Sequence, residues 1–239
     1  YISAIITAAG SSQRMNKKIP KQFLKIRDKM ILEMTLDVFQ SIDEIKEFIL
    51  VIREEDEEFV RNFIKDKNYR DIVIATGGDT REKSTYNGLN KVNENCDLII
   101  SHDAARPFIR REKILEAIES IGDYDGLVVS VGAKDTIKYV DDDMRVVNTP
   151  NRSHLYMAQT PQVFKYKSIK DAYKLVFDEK INVTDDSSLL EIVGKKVKII
   201  KGDYSNIKIT TINNHTMTSN CSSERKSHTS LTKSKARND

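Results

Sequence analysis

Ile2-Ser3-Ala4-Ile5-Ile6-Thr7-Ala8-Ala9-Gly10-Ser11-Ser12-Gln13-Arg14-Met15 is the stretch on which the reading of this chain turns. Its apolar half predicts a buried strand over Ile2–Thr7. It lacks a basic n-region, so it does not read as a signal peptide. Small residues follow at once. They let the backbone come close to a ligand, and successive N–H groups there can form an anion-binding nest. Taken alone, the loop fits a tight turn as well as it fits a phosphate site.

Outward from this unit, apolar runs alternate with amphipathic stretches. Leu32, Thr35, Leu36 and Phe39 fall at helical spacing and predict a helix over Ile31–Ser41. Phe48–Arg53, Ile72–Thr76, Asp97–Ser101 and Gly126–Val131 read as strands; Glu55–Lys65, Arg81–Lys91 and Arg111–Ile121 read as helices between them. This β-α-β-α rhythm predicts an α/β fold, a mostly parallel sheet with helices on both faces, whose ligands sit outside the carboxyl ends of the strands. Lys134–Val147 breaks the rhythm. Two short extended runs flank Asp141-Asp142-Asp143 and predict a hairpin arm, spanning about residues 134–157 with its base. It is either a plain surface hairpin or one that needs a partner surface. A strand over Gln162–Lys165, helices over Ser168–Asp178 and Asp185–Ile192, and strands over Val197–Ile200 and Ile207–Thr210 complete the expected elements.

The 239 residues suit one large α/β domain with or without a small appendage. No apolar run approaches the ~20 residues of a membrane span. Cys96 and Cys221 stand far apart and suggest neither a disulfide framework nor a Cys-x-x-Cys site, which points to a reducing cytoplasm. The formal charge of +3 is carried by the stretch from Ile212, where Arg225, Lys226, Lys233, Lys235 and Arg237 face Glu224 and Asp239. A nucleic-acid role would rest on that tail alone. The tail is rich in Ser, Thr, Asn and Lys and reads as disordered.

Further loops follow strands. Pro20 fixes the backbone ahead of Lys21, which by itself could be a solvated surface lysine. Gly77-Gly78-Asp79-Thr80-Arg81, with Ser84 a turn later, permits close approach to a flat base, although Asp79 or Thr80 could simply cap a helix. Asp103 ends a strand beside these loops, where a carboxylate can bind Mg²⁺ or orient a group. Its neighbour His102 points to the opposite face, so the two are not an acid–base dyad. Thr184-Asp185-Asp186 opens a helix, and Lys208 faces away from its apolar neighbours, toward solvent or an anion. Arg14, Lys21, Arg106, Lys208 and Asp103 together suit a triphosphate with Mg²⁺.

The ordered set A-A-G-S-S-Q-R-M, P-K-Q-F-L, G-G-D-x-R-x-x-S, H-D-A-A-R-P, Q-T-P-Q-V-F, T-D-D and N-I-K-I-T-T resembles the 2-C-methyl-D-erythritol 4-phosphate cytidylyltransferases of isoprenoid biosynthesis, from Ile2 to Thr211. The resemblance implies a three-layer nucleotide-diphosphosugar-transferase-like fold over residues 1–211 and a cytoplasmic homodimer built through the arm, with neither membrane nor nucleic acid as partner. It implies that Ala8, Ala9, Gly10, Gly78, Asp79 and Ser84 hold CTP and that Arg14 and Lys21 stabilise charge on its α-phosphate. Asp103 would bind Mg²⁺, and Arg106, Thr160, Thr184 and Lys208 would line the sugar-phosphate site with Thr136 and Arg152 of a partner's arm. Lys208 counts with Arg14 and Lys21 as catalytic. Pro150–Tyr156 and Gly202–Asn206 look closer to the ribitol 5-phosphate cytidylyltransferases, so that acceptor stays open. The polar tract from Ile212 departs from the closing helix usual in the family, which leaves a non-catalytic nucleotide-binding protein as a third reading.

Overall fold

The computed structural model describes residues 1–10, 20–179 and 183–210. In chain order these form β1 (Ile2–Thr7), a small hairpin of β2 (Lys25–Ile26) and β3 (Lys29–Met30), α1 (Ile31–Gln40), β4 (Ile45–Ile52), α2 (Glu57–Lys65) and β5 (Ile72–Thr76). There follow α3 (Arg81–Leu89), β6 (Leu98–Asp103), α4 (Arg111–Glu119), β7 (Gly126–Gly132), β8 (Tyr139–Val140), β9 (Val146–Asn148), β10 (Tyr156–Lys165), α5 (Tyr166–Glu179), α6 (Asp186–Ile192) and β11 (Val197–Lys201).

Seven strands form one sheet in the order β11-β7-β10-β6-β1-β4-β5. Pairing is parallel except at β10, which runs antiparallel between β6 and β7. The expected mostly parallel α/β architecture is what forms. One feature matters for the site. β5, β4, β1 and β6 all precede residue 104, whereas β7, β10 and β11 all follow residue 125. The β6–β10 ladder, where Ser101 stands opposite Gln162 and Ile100 opposite Val163, is therefore a seam between two sequence halves.

Burial of both sheet faces explains the unbroken Ile and Val runs, because successive strand residues point to opposite sides. Ala4, Ile6, Phe48, Leu50 and Ile52 join one core with Leu36 and Phe39 of α1, Val60 of α2 and Ile114 of α4. Their alternates Ile5, Ile49 and Val51 join the other, with Leu89 of α3, Tyr173 of α5 and Leu190 of α6. Gly88 lets α3 lie close on the sheet: a Cβ there would stand 2.8 Å from methyls of Ile5 and Val51.

The arm is present as the β8–β9 hairpin. Asp141 closes its turn by accepting from the backbone N–H groups of Asp143 and Arg145. Ile137, Tyr139, Met144, Val146 and Val147 are all exposed on it.

Several boundaries shift by one to three residues, β4 beginning at Ile45 rather than Phe48 and β6 running to Asp103 rather than Ser101, and two differences are larger. β10 begins at Tyr156, six residues before Gln162, because its exposed first turns continue from the base of the arm. Ile207–Thr210 forms no strand. Ile209 is anchored, its N–H donating to the Ala105 carbonyl at 2.8 Å and its side chain buried with Ile26 and Ile31. The tail from Ile212 lies outside the described residues. Among those described, no helix is long and apolar enough to cross a membrane.

Candidate active site

The loops after β1, β5 and β6 converge at the carboxyl edge of the sheet. The ends of β1 and β5 are tied to β4, Ala8 N–H donating to Val51 O and Gly77 N–H to Ile52 O, both at 2.7 Å. Gly77 is required by the packing, since a Cβ there would stand 2.3 Å from that of Ala9. Thr80 caps α3 by accepting from Lys83 N–H. The Ser84 hydroxyl accepts from Gly78 N–H at 3.0 Å and so fixes the glycine loop from behind. Between these loops lies a cavity of about 580 Å³ lined by Ala8, Ala9, Gly10, Gly78, Asp79 and Ser84, with Lys21 on one side. Lys21 is held there by its neighbour: Gln22, buried, donates through Nε2 to the Ala8 carbonyl at 2.7 Å. The single turn Lys21–Phe23 thus docks on the loop, and Lys21 lies across Gly10.

A second cavity of about 820 Å³ lies across the seam, lined by Arg106, Gln159, Thr160, Gln162, Thr184 and Asp185 among others. Three side chains line both cavities: Arg81, Asp103 and Lys208. Asp103 is the centre of this wall. Its Oδ2 accepts from Lys208 Nζ at 2.7 Å and its Oδ1 from Arg81 Nε at 3.3 Å, with Arg106 Nε 3.8 Å away. Burial works to raise the Asp103 carboxyl, but the charges of Arg81, Lys208 and Arg106 outweigh it and hold the group well below the usual carboxylate range. Arg81, Lys208 and Arg106 are set against two carboxylates, Asp103 and Asp186, and the wall is net positive. Arg106 Nε is buried without a hydrogen-bond partner among the described residues, a donor suited to a ligand oxygen.

His102 points away from the cavities, as its strand position requires. It is fully buried against Phe39, their rings 4.9 Å apart. Its Nε2–H donates to the Arg106 carbonyl at 3.2 Å, so Nδ1 accepts from the Thr160 hydroxyl at 3.0 Å. Thr160 Oγ1 in turn accepts from Asp103 N–H at 3.1 Å. A neutral ring satisfies this chain of bonds, and burial pushes the imidazole down to about 4. A depressed histidine contributes stability that is full above its unfolded value of ~6.5 and is lost as pH falls toward the folded value. Between about pH 7.5 and pH 5 the unmodified chain should therefore lose roughly 2 kcal/mol that a His102→Gln variant does not lose. Urea unfolding of both chains at the two pH values checks this; an unchanged difference between them would sink it.

The structure brings together Ala8, Ala9, Gly10, Lys21, Gly78, Asp79 and Ser84 on one side and Arg106, Thr160 and Thr184 on the other, with Asp103 and Lys208 between. Thr136 and Arg152 are exposed on the arm and line neither cavity of this chain; Arg152 Nη1 donates to the Lys134 carbonyl at 2.6 Å. Arg14 lies outside the described residues. The sequence reading passed over Arg81, Asp186 and Gln22. Arg81 opens a helix and Asp186 follows a helix cap, so each has an ordinary local role that conceals its partner 105 residues away.

Two adjoining cavities, with cations concentrated where they meet at the carboxyl edge of a mostly parallel sheet, have the form of an α/β nucleotidyltransferase site, in which two anionic molecules must be brought together. The comparisons narrow the class. A family profile described as 2-C-methyl-D-erythritol 4-phosphate cytidylyltransferase matches residues 2–220. A protein of that name from Clostridioides difficile is 45% identical over 209 residues, covering 87% of this chain and 88% of the relative. One from Caldanaerobacter subterraneus is 42% identical over 212 residues, covering 88% and 93%. The crystal structure of 4-diphosphocytidyl-2C-methyl-D-erythritol synthase from Anaerococcus prevotii superposes with a TM-score of 0.84 at 39% identity, covering 92% of this chain and 94% of that one. This chain belongs to the 2-C-methyl-D-erythritol 4-phosphate cytidylyltransferase family.

Proposed function

We propose that this enzyme transfers the cytidylyl group of CTP to 2-C-methyl-D-erythritol 4-phosphate, giving 4-diphosphocytidyl-2-C-methyl-D-erythritol and pyrophosphate. The observation that carries the reading is the shared wall of Arg81, Asp103 and Lys208 between two cavities. CTP occupies the side of Gly10, Gly78, Asp79 and Ser84, and the acceptor phosphate the side of Arg106, Thr160 and Thr184. An acceptor oxygen, already ionised near neutral pH, attacks the α-phosphorus in line. The bond to the β-phosphate oxygen breaks, and pyrophosphate leaves with the electron pair. No strong general base is needed, so catalysis is mostly positioning and charge stabilisation. Lys21, with Arg14, meets the charge that builds on the α-phosphate; Lys208 and Arg106 hold the acceptor phosphate against it.

The donor set bears on the metal. Among the described residues no group of three His, Cys, Asp or Glu gathers to hold a metal ion. Asp103 is the carboxylate common to both cavities, and its oxygens are already met by cations. This suits a Mg²⁺ that keeps phosphate and water oxygens as most of its ligands, with Asp103 giving at most one. When bound, Mg²⁺ would offset triphosphate charge and ease departure of pyrophosphate.

A homodimer through the arm is supported by the exposed Tyr139, Met144, Val146 and Val147, which a second copy would cover. Thr136 and Arg152 then reach the acceptor of the partner subunit. A cytoplasmic setting is supported by the free, buried Cys96.

Purified chain supplied with CTP, Mg²⁺ and 2-C-methyl-D-erythritol 4-phosphate should release pyrophosphate, and with ribitol 5-phosphate far less. Release with ribitol 5-phosphate alone would replace the acceptor, and release with neither would defeat the reading.

A further inference from the structure

Of the three side chains common to both cavities, Arg81 is the one whose fork spans the seam. Its Nε lies 3.3 Å from Asp103 Oδ1, while Nη1 and Nη2 donate to Asp186 Oδ1 and Oδ2 at 2.8 and 3.1 Å. Asp186 is fully buried and cannot give way, because Ser101 Oγ donates to it at 2.6 Å and the Tyr173 hydroxyl at 2.7 Å. The two ends of this connection belong to different half-sites. Arg81 follows directly on Gly77–Thr80, the loop of the nucleotide side. Asp186 follows directly on Thr184 and Asp185, which line the acceptor side.

We propose that Arg81 is a positioning residue that couples the two half-sites, so that a nucleotide drawn onto the glycine loop sets the acceptor-side segment through Asp186, and the acceptor does the reverse. The proposal rests on the function given above. It follows from guanidinium geometry. A planar five-donor fork bonds two carboxylates in a fixed relative geometry, whereas a lysine ammonium, a point charge on a flexible stem, sets neither their separation nor their angle. Arg81→Lys therefore keeps the charge and loses the connection. A purely structural ion pair would contribute stability without linking the affinities of two ligands.

The test is calorimetric titration with 2-C-methyl-D-erythritol 4-phosphate, with and without saturating α,β-methylene analogue of CTP, on the unmodified chain and on Arg81→Lys. Melting temperature and pyrophosphate release are measured alongside. Leu36→Ala, a variant of the fully buried core that alters no side chain of the wall, controls for lost stability alone. In the unmodified chain the analogue should tighten acceptor binding about fivefold or more, and in Arg81→Lys that ratio should fall to about one. Leu36→Ala should keep the ratio at a lowered melting temperature. An Arg81→Lys variant that keeps the ratio, or a Leu36→Ala variant that loses it equally, overturns the coupling. An unmodified chain that releases pyrophosphate yet shows no effect of the analogue overturns the coupling and leaves the function standing. An unmodified chain that releases none overturns both.

Discussion

Lys21→Ala should lower turnover by about 10²–10³, with a much smaller change in the KM for CTP, by analogy with removal of an oxyanion-hole donor. The expectation follows from how the residue is held. Pro20 and the single turn Lys21–Phe23 set the backbone, and Gln22 clamps that turn to the Ala8 carbonyl. Phe23 packs edge-on against Phe59, ring centroids 4.9 Å apart, and fixes the other flank. The ammonium is thereby carried on a braced segment beside Gly10, where it need not reorganise as charge develops. An interaction stronger in the transition state than in the ground state lowers kcat when lost, while one equally strong in both raises KM. Steady-state pyrophosphate release over a range of CTP concentrations separates the two. A Lys21→Ala enzyme with turnover within threefold or so of the unmodified one would remove Lys21 from the mechanism.

Asp186→Ala should be the most damaging change to the fold, at about 3–5 kcal/mol, because it strands buried donors rather than merely deleting a bond. Arg81, Ser101 and Tyr173 all donate to this carboxylate, which has no exposed surface. Stabilities of small proteins are about 5–15 kcal/mol, so the loss is a large share of the whole. Glu57→Ala, which breaks the exposed pair with Arg61, should cost no more than about 0.5 kcal/mol. Urea denaturation of the two variants side by side tests the contrast, and comparable midpoints would show that burial is not what gives Asp186 its weight.

Much of this was legible in the sequence because it rests on local pattern. Ile72–Thr76 is a strand with the expected bounds, and Ile2–Thr7 likewise. Both have a length and an apolar content that helices do not share. The small-residue loops after β1 and β5 do line one cavity, although each pattern by itself fits a tight turn equally well. The remainder depended on distance along the chain. The pattern predicts a strand from Gln162, whereas Tyr156–Ala158 already pair with β7 on the far side of Pro161. Ile207–Thr210 has the alternation of a strand, but it is held by separate contacts, Ile209 N–H on the Ala105 carbonyl and Lys208 on Asp103, and nothing in four residues tells such anchors from a ladder. Arg81 and Asp186 could not be matched at all, since many arginines and aspartates sit near helix starts and nothing local joins these two.

The seam between the two sequence halves has a consequence for how the protein comes into being. Synthesis delivers the amino end first. When β6 has left the ribosome, the chain has all the strands on one side of the sheet, with the glycine loop and Asp103, but nothing yet pairs along the open side of Leu98–Asp103. That side is an unprotected edge, able to recruit any other extended segment until residues 162–165 arrive. Arg81 also waits, with Asp103 already made but the second of its carboxylate partners, Asp186, still to come. A nascent chain therefore passes through a period of adhesiveness along this edge that the finished one does not have, and its length is set by the time needed to translate from Ala104 to Lys165.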